Sequence, residues 1–151
     1  MTTVHDAFSY ELTERDLLKI NVFKQMCVEL STLSHDPKMK VGSIIITEDF
    51  REVCAIGYNG NYKGGPNERD SMETGQSGYL HSEENCLIHL SKPFETRSRL
   101  IMICTHKPCP MCAKRIANAD IKRVLYVNNY TGMGDGTDEI FSRARVVCAQ
   151  I

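Results

Sequence analysis

His81 and Glu83 stand two residues apart, and Cys109 and Cys112 stand three apart within Pro108-Cys109-Pro110-Met111-Cys112. One imidazole and two thiols are donors that zinc prefers, and three protein ligands leave a fourth coordination position open for water. That openness separates a catalytic zinc from a structural one. Zinc brings the pKa of a bound water toward neutrality, which generates hydroxide without a strong base. Glu83 lies too close to His81 to complete a tetrahedral set, yet it can reach that water and carry its protons. The chemistry expected is metal-assisted hydrolysis. A closed, purely structural zinc site would need a fourth ligand, with His89 or His106 as candidates, and it would give Glu83 no task. A bare Cys-x-x-Cys could also be a redox pair, a reading that ignores His81-Ser82-Glu83.

The elements around these residues must bring them to one point. Thr13 followed by Asp16 reads as a helix start with a capping box. Val22, Phe23, Met26, Cys27, Leu30 and Leu33 then recur at helical spacing, and Pro37 ends the helix near Ser34. Val41 to Thr47 is an apolar, largely β-branched run that predicts a buried strand, with Val53 to Tyr58 as its hairpin partner. Asn59 to Gly78 is rich in Gly, Asn and Pro and reads as a long loop, a type that in compact domains is usually functional. Further on, the pattern predicts a helix over Ser82–Leu90, a strand over Leu100–Cys104 and a helix from Pro110 to about Ala119. It then predicts a strand over Val124–Val127, a helix over Asp138–Ala144 and a last strand over Val146–Cys148. Pro110 suits a first helical turn. Cys109 and Cys112 then open that helix, where free amide groups favour thiolates. Alternation of strands and helices implies an α/β fold, a three-layer sandwich with a central five-stranded mixed sheet flanked by helices. The metal residues should lie at the carboxyl ends of neighbouring strands.

With 151 residues, the chain reads as a single domain over 1–151. No run approaches the roughly 20 apolar residues of a membrane span, and the polar, acidic start lacks the pattern of a signal peptide, so a cytoplasmic location is expected. The seven cysteines are odd in number, and all but Cys109 and Cys112 sit among apolar residues, as reduced core cysteines do. Net charge is −1 with both signs interspersed. Nucleic-acid binding through phosphates normally shows as a basic excess, so a small-molecule substrate is expected instead.

The pattern His-x-Glu followed by Pro-Cys-x-x-Cys is that of the zinc-dependent nucleobase deaminases. Gly57-Tyr58-Asn59-Gly60, His81-Ser82-Glu83-Glu84-Asn85 and Pro108-Cys109-Pro110-Met111-Cys112-Ala113-Lys114 together resemble the deoxycytidylate (dCMP) deaminase family. Asp36-Pro37, Lys40-Val41-Gly42 and Ile121-Lys122-Arg123-Val124-Leu125-Tyr126 are similar to it as well, so the likeness runs from about Leu18 to Val147. The resemblance implies a cytidine deaminase-like fold and hydrolysis of dCMP to dUMP and ammonia, feeding thymidylate synthesis. It implies one catalytic Zn2+ on His81, Cys109 and Cys112, with Glu83 as proton shuttle. It implies substrate binding by Asn59, Tyr126 and Tyr130, and a homohexamer activated by dCTP and inhibited by dTTP with Mg2+. Asn59, Gly60, Gly64 and Asn67 are then the candidate effector contacts, and Lys38, Lys40, Lys63, Arg69 and Arg115 the candidate phosphate donors. Ser82 stands where the family usually has alanine, a small-for-small exchange. The short, cysteine-free segment between Asn67 and His81 excludes the extra structural zinc of some viral members. A transfer-RNA adenosine deaminase, a free cytidine or riboflavin-pathway deaminase, and a non-catalytic regulatory module of the same fold are the alternatives.

Overall fold

The computed structural model describes residues 2–130 and 136–151. Five strands form one sheet in the order β2-β1-β3-β4-β5: β1 (Gly42–Thr47), β2 (Val53–Tyr58), β3 (Leu100–His106), β4 (Arg123–Asn128) and β5 (Val147–Gln150). β1 is antiparallel to both β2 and β3, while β3, β4 and β5 run parallel. The helices among the described residues are α1 (Glu14–Ser31), α2 (Ser82–Ile88), α3 (Pro110–Asn118) and α4 (Gly136–Ala144). Short 3-10 turns at Val4–Ala7 and Phe94–Arg99 complete the regular structure. The expected α/β sandwich with a mixed five-stranded sheet is what forms.

The layers follow from the period of two along each strand. Ile44, Ile46, Ile101, Ile103 and Leu125 pack with Ile20 and Cys27 of α1 and with Phe8 and Leu12 before it. Ile45, Met102, Cys104, Val124 and Tyr126 point the other way, toward Cys86 of α2, Ala113 and Ile116 of α3, and Phe141 of α4. Because both faces are covered, the central strands read as unbroken apolar runs rather than as an alternation. Gly57 is needed on this second face: a Cβ there would come within 2.3 Å of the Ser82 carbonyl oxygen. That close approach seats the start of α2 directly on β2.

Two expectations need correction. Of the apolar set assigned to one face of α1, Phe23, Cys27 and Leu30 pack into the core together with Ile20, whereas Val22, Met26 and Leu33 are exposed. The helix carries apolar residues on both faces, so periodicity alone merged the buried stripe with exposed apolar positions. It also ends at Ser31, followed by turn bonds from Leu33 and Ser34 back to Leu30 and Ser31. In addition, the strands leading to the two halves of the metal motif are not neighbours. β2 and β3 run parallel with the start of antiparallel β1 between them, so Ser43 of β1 sits beside the site.

Candidate active site

Thr13 caps α1 as expected, its hydroxyl accepting from the Asp16 N–H while the Asp16 carboxylate accepts from the Thr13 N–H. α1 then leads into a tight segment in which Asp36 is buried. The long stretch after β2 contains no helix or named strand, but it is folded back on itself. Gly60 and Leu80 exchange two backbone hydrogen bonds, which closes the loop and returns the chain to His81 beside Tyr58 and Asn59. Gly78 has φ +76° and would place a Cβ 1.9 Å from Asp70 Oδ2, so only glycine allows this last turn before His81. Asn85 of α2 donates to the Tyr58 carbonyl at 2.9 Å, tying the helix to the end of β2. On the other side of the site, β3 runs into Lys107-Pro108, and Cys109 occupies the position before α3, with its sulfur accepting from the Cys112 N–H at 3.5 Å. Lys107 N–H donates to the Asn128 carbonyl, fixing this turn against β4.

These junctions put three donors together. His81 Nδ1 lies 3.5 Å from Cys109 Sγ and 3.3 Å from Cys112 Sγ. All three ligand atoms lie within 4.8 Å of one another. Around a tetrahedral zinc with its usual Zn–N and Zn–S lengths, neighbouring donors stand about 3.5 Å apart, so this trio fits such an ion. The local electrostatics agree. Hydrogen bonding from Cys112 and from His81 holds the Cys109 thiol down to about 4 against the opposing effect of burial. Cys112 is raised, first by its bond to Cys109 and then by burial, and His81 is raised chiefly by its bond to the Cys109 sulfur. These opposed shifts favour a thiolate at Cys109, the charge that a metal ligand carries. A cation displaces the remaining protons on binding, since ligating thiols and imidazole must give up their protons.

Neither alternative fourth ligand joins the trio. His89 is exposed and its Nδ1 contacts the Asn85 carbonyl of its own helix, while His106 Nδ1 contacts Thr105 Oγ1 at 3.0 Å. Glu83 is not part of the metal cluster either. It is 4% exposed, and burial raises the pKa of its carboxyl group, countered in part by His81. Ser82, fully buried, donates to Glu83 Oε1 at 3.2 Å and lies 2.6 Å from Ser43 Oγ. Ser82 is therefore more than a small residue tolerated in place of alanine: it links β1 to the carboxylate. The sequence held no signal for this, because Ser43 reads as an ordinary strand residue.

A cavity opens over these groups, lined among others by Asp36, Asn59, Arg69, Tyr79, Lys107 and Tyr130 beside His81, Glu83 and Cys109. Asn59 lines it, but its amide is already engaged: Oδ1 accepts from the Val41 N–H, and Nδ2 donates to the Met39 carbonyl and to Asp36. Tyr130 lines it too, and burial raises the pKa of its phenol. Tyr126 lies elsewhere, in a second cavity between α4 and the β4-β5 edge, with Lys107 Nζ 5.6 Å from its ring centroid. Among the proposed effector contacts only Asn59 lines the site cavity; Asn67 borders a separate surface hollow with Arg69, Asp70 and Met72. Among the phosphate candidates only Arg69 lines it. Lys38 donates to the Met72 carbonyl, Arg115 pairs with Glu84 at 3.3 Å, and Lys40 and Lys63 are exposed. Sequence reasoning missed Lys107 and Tyr79, which no motif marks.

The sequence profile of the "cytidine and deoxycytidylate deaminase zinc-binding region" matches residues 19–128. The chain belongs to this deaminase family. Over 93% of its length, and over 100% of the other chain, it superposes on the crystal structure of dCMP deaminase from cyanophage S-TIM5 in complex with dCMP and dUMP, at 29% identity and a TM-score of 0.77. It is 29% identical over 126 residues to ComE operon protein 2 of Bacillus subtilis, covering 81% of this chain and 65% of that protein. It is 27% identical over 160 aligned positions to the deoxycytidylate deaminase of Schizosaccharomyces pombe, covering 93% of this chain and 48% of that one. The chain thus spans less than two thirds of the length of either of these two relatives. No helix among the described residues is long and apolar enough to cross a membrane.

Proposed function

We propose that the chain, acting as one catalytic domain, deaminates dCMP to dUMP and ammonia with zinc held by His81, Cys109 and Cys112. The observation that carries this reading is the gathering of one nitrogen and two sulfurs within 4.8 Å, with a buried glutamate beside them and no fourth protein donor among the described residues. Zinc, when bound, supplies a water acidified toward neutral pH. Glu83 does the proton work. Its buried carboxylate accepts a proton from the attacking water, delivers it to the ring nitrogen of cytosine, and passes one to the departing ammonia. Atoms balance: water adds at the amino-bearing carbon, and the exocyclic nitrogen leaves as ammonia. Ser82 holds Glu83 Oε1 in place, and the walls formed by Tyr79, Tyr130 and Asn59 exclude bulk water and flank the base.

The near-neutral charge and the dCMP-bound cyanophage relative support a mononucleotide substrate over RNA. The link to thymidylate synthesis, dCTP activation, dTTP inhibition with Mg2+, a hexameric assembly and a cytoplasmic location rest on the family resemblance. Purified zinc-loaded protein should convert dCMP much faster than deoxycytidine or an adenosine-containing RNA hairpin, and a preference for the nucleoside would refute recognition of the nucleotide. Adding dCTP should shift a sigmoidal rate curve to lower dCMP, and superimposable curves would reject that form of regulation.

A further inference from the structure

Two buried polar atoms have no hydrogen-bond partner among the described residues, Tyr79 Oη and Arg69 Nε, and both side chains line the same site cavity. Tyr79 is 6% exposed. The Arg69 side chain is 8% exposed, and its Nε stands 3.0 Å from Asp36 Oδ1, but that N–H is not aimed at the oxygen. The carboxylate is meanwhile committed to the Lys38 N–H at 2.8 Å and to Asn59 Nδ2 at 3.3 Å, and Arg69 Nη1 is spent on the Ser71 carbonyl. The pair is thus anchored, with the buried Nε–H left without an aligned acceptor.

Buried polar groups are nearly always hydrogen-bonded, and an orphaned one carries its full desolvation cost. Here two such donors face one cavity, Tyr79 Oη with no partner and Arg69 Nε with only the misaligned Asp36 carboxylate, in a loop whose path is fixed by Gly78. An arginine Nε–H donates only, and a tyrosine hydroxyl readily donates. Their missing partner is therefore an oxygen acceptor, supplied by whatever fills the cavity.

We infer that Tyr79 Oη and Arg69 Nε form a substrate-binding subsite that receives an oxygen acceptor of the bound nucleotide, distinct from the metal-binding trio and Glu83. The inference rests on the nucleotide reading above. Two sources share this chemistry: a 5′-phosphate oxygen, or an oxygen of the deoxyribose or the base. Anchoring by Asp36 keeps the guanidinium in the wall when the cavity is empty, so the subsite is formed before substrate arrives.

The test uses the zinc-loaded protein and its Tyr79→Phe and Arg69→Lys variants, with kcat and KM measured on dCMP and on deoxycytidine. Binding of the product dUMP is followed by calorimetry alongside. Tyr79→Phe should raise KM for dCMP about 10-fold, the worth of one lost hydrogen bond of ordinary to charged strength. Its Tm should hold or rise, because the hydroxyl removed has no partner in the free protein. A KM penalty confined to dCMP assigns the acceptor to the phosphate, and an equal penalty on deoxycytidine assigns it to the nucleoside. Unchanged KM and dUMP affinity in both variants overturns the subsite, as does a fall in Tm with binding intact. A wild type that deaminates neither compound refutes the activity reading instead; the subsite then stands if dUMP still binds and the variants weaken it, and falls otherwise.

Discussion

Replacing Ser82 with alanine isolates the link between β1 and the buried glutamate. The Ser82 hydroxyl is inaccessible to solvent and sits 2.6 Å from Ser43 Oγ and 3.2 Å from Glu83 Oε1. Alanine removes both contacts and leaves the buried Ser43 hydroxyl without this partner. An orphaned buried hydroxyl costs about 1–3 kcal/mol. For a chain of this size each kcal/mol lowers Tm by roughly 2–4 °C. Substituting Ser43 as well removes the orphan, so Ser43→Ala/Ser82→Ala should be more stable than Ser82→Ala alone. The effect on rate is separate. A bond to a charged group is worth about 1.5–3 kcal/mol, and an interaction of about 1.4 kcal/mol made in the transition state is tenfold in rate. Ser82→Ala should therefore lower kcat on dCMP by about tenfold or more with KM changed by less than about twofold, and the double variant should not restore it. The assay is steady-state dUMP formation combined with thermal unfolding and zinc content. Wild-type kcat in Ser82→Ala at full zinc occupancy would show that the serine does not position Glu83.

Other expectations follow from the same geometry. Asp36→Asn leaves the Arg69 guanidinium buried without its counter-charge, which should cost about 3–5 kcal/mol and show as a large drop in Tm; a change within about 1 kcal/mol would mean that the pair is dispensable. Burial pushes Cys27 and Cys148 up to about 12 and also raises Cys86 and Cys104. In mildly alkaline iodoacetamide these four should resist alkylation in the zinc-loaded protein, whereas chelation should expose Cys109, held down to about 4, to rapid labelling visible by mass spectrometry. Equal labelling of Cys109 before and after chelation would contradict its role as a ligand. Thr13→Ala should remove about 1 kcal/mol through loss of the α1 cap. The Asp16 carboxyl is held below its usual range by the Thr13 N–H and then the Thr13 hydroxyl. Alanine keeps the N–H and removes only the hydroxyl's share, which is present above the ordinary carboxylate pKa and is lost as pH falls through the lowered one, so the Tm deficit of Thr13→Ala should be somewhat larger near pH 7 than near pH 3. Equal deficits at the two pH values would rule out that linkage.

What the sequence disclosed divides along physical lines. Metal-ligand spacing is a local property, since Cys109 and Cys112 share the first turn of α3 and His81 precedes α2, so donor types and intervals pointed to a common centre. β2 was legible because Val53 to Tyr58 is bounded by a polar turn and by Asn59-Gly60. The faces of α1 were legible only in part, because apolar residues occur all around it and where β1 and β3 lie decided that Phe23, Cys27 and Leu30 are covered and Val22, Met26 and Leu33 are not. The Ser43–Ser82–Glu83 chain depends on β1 inserting between β2 and β3, a long-range fact with no local trace. The wall formed by Asp36, Arg69 and Tyr79 is equally non-local, as a loop without periodicity delivers two of its members. Gly78 was the available hint, since a glycine immediately before Tyr79 marks a turn that only that residue permits.

The most direct trial of the account is the Glu83→Gln variant, assayed for metal content and for dUMP formation in the same preparation. The amide keeps the size of the buried side chain but carries no transferable proton, and general acid–base catalysis is worth about 10²–10⁴ in rate. Zinc should bind as in the wild type, with dCMP turnover reduced by at least that factor. Turnover at the wild-type rate with zinc in place would contradict the proton-carrying role of Glu83.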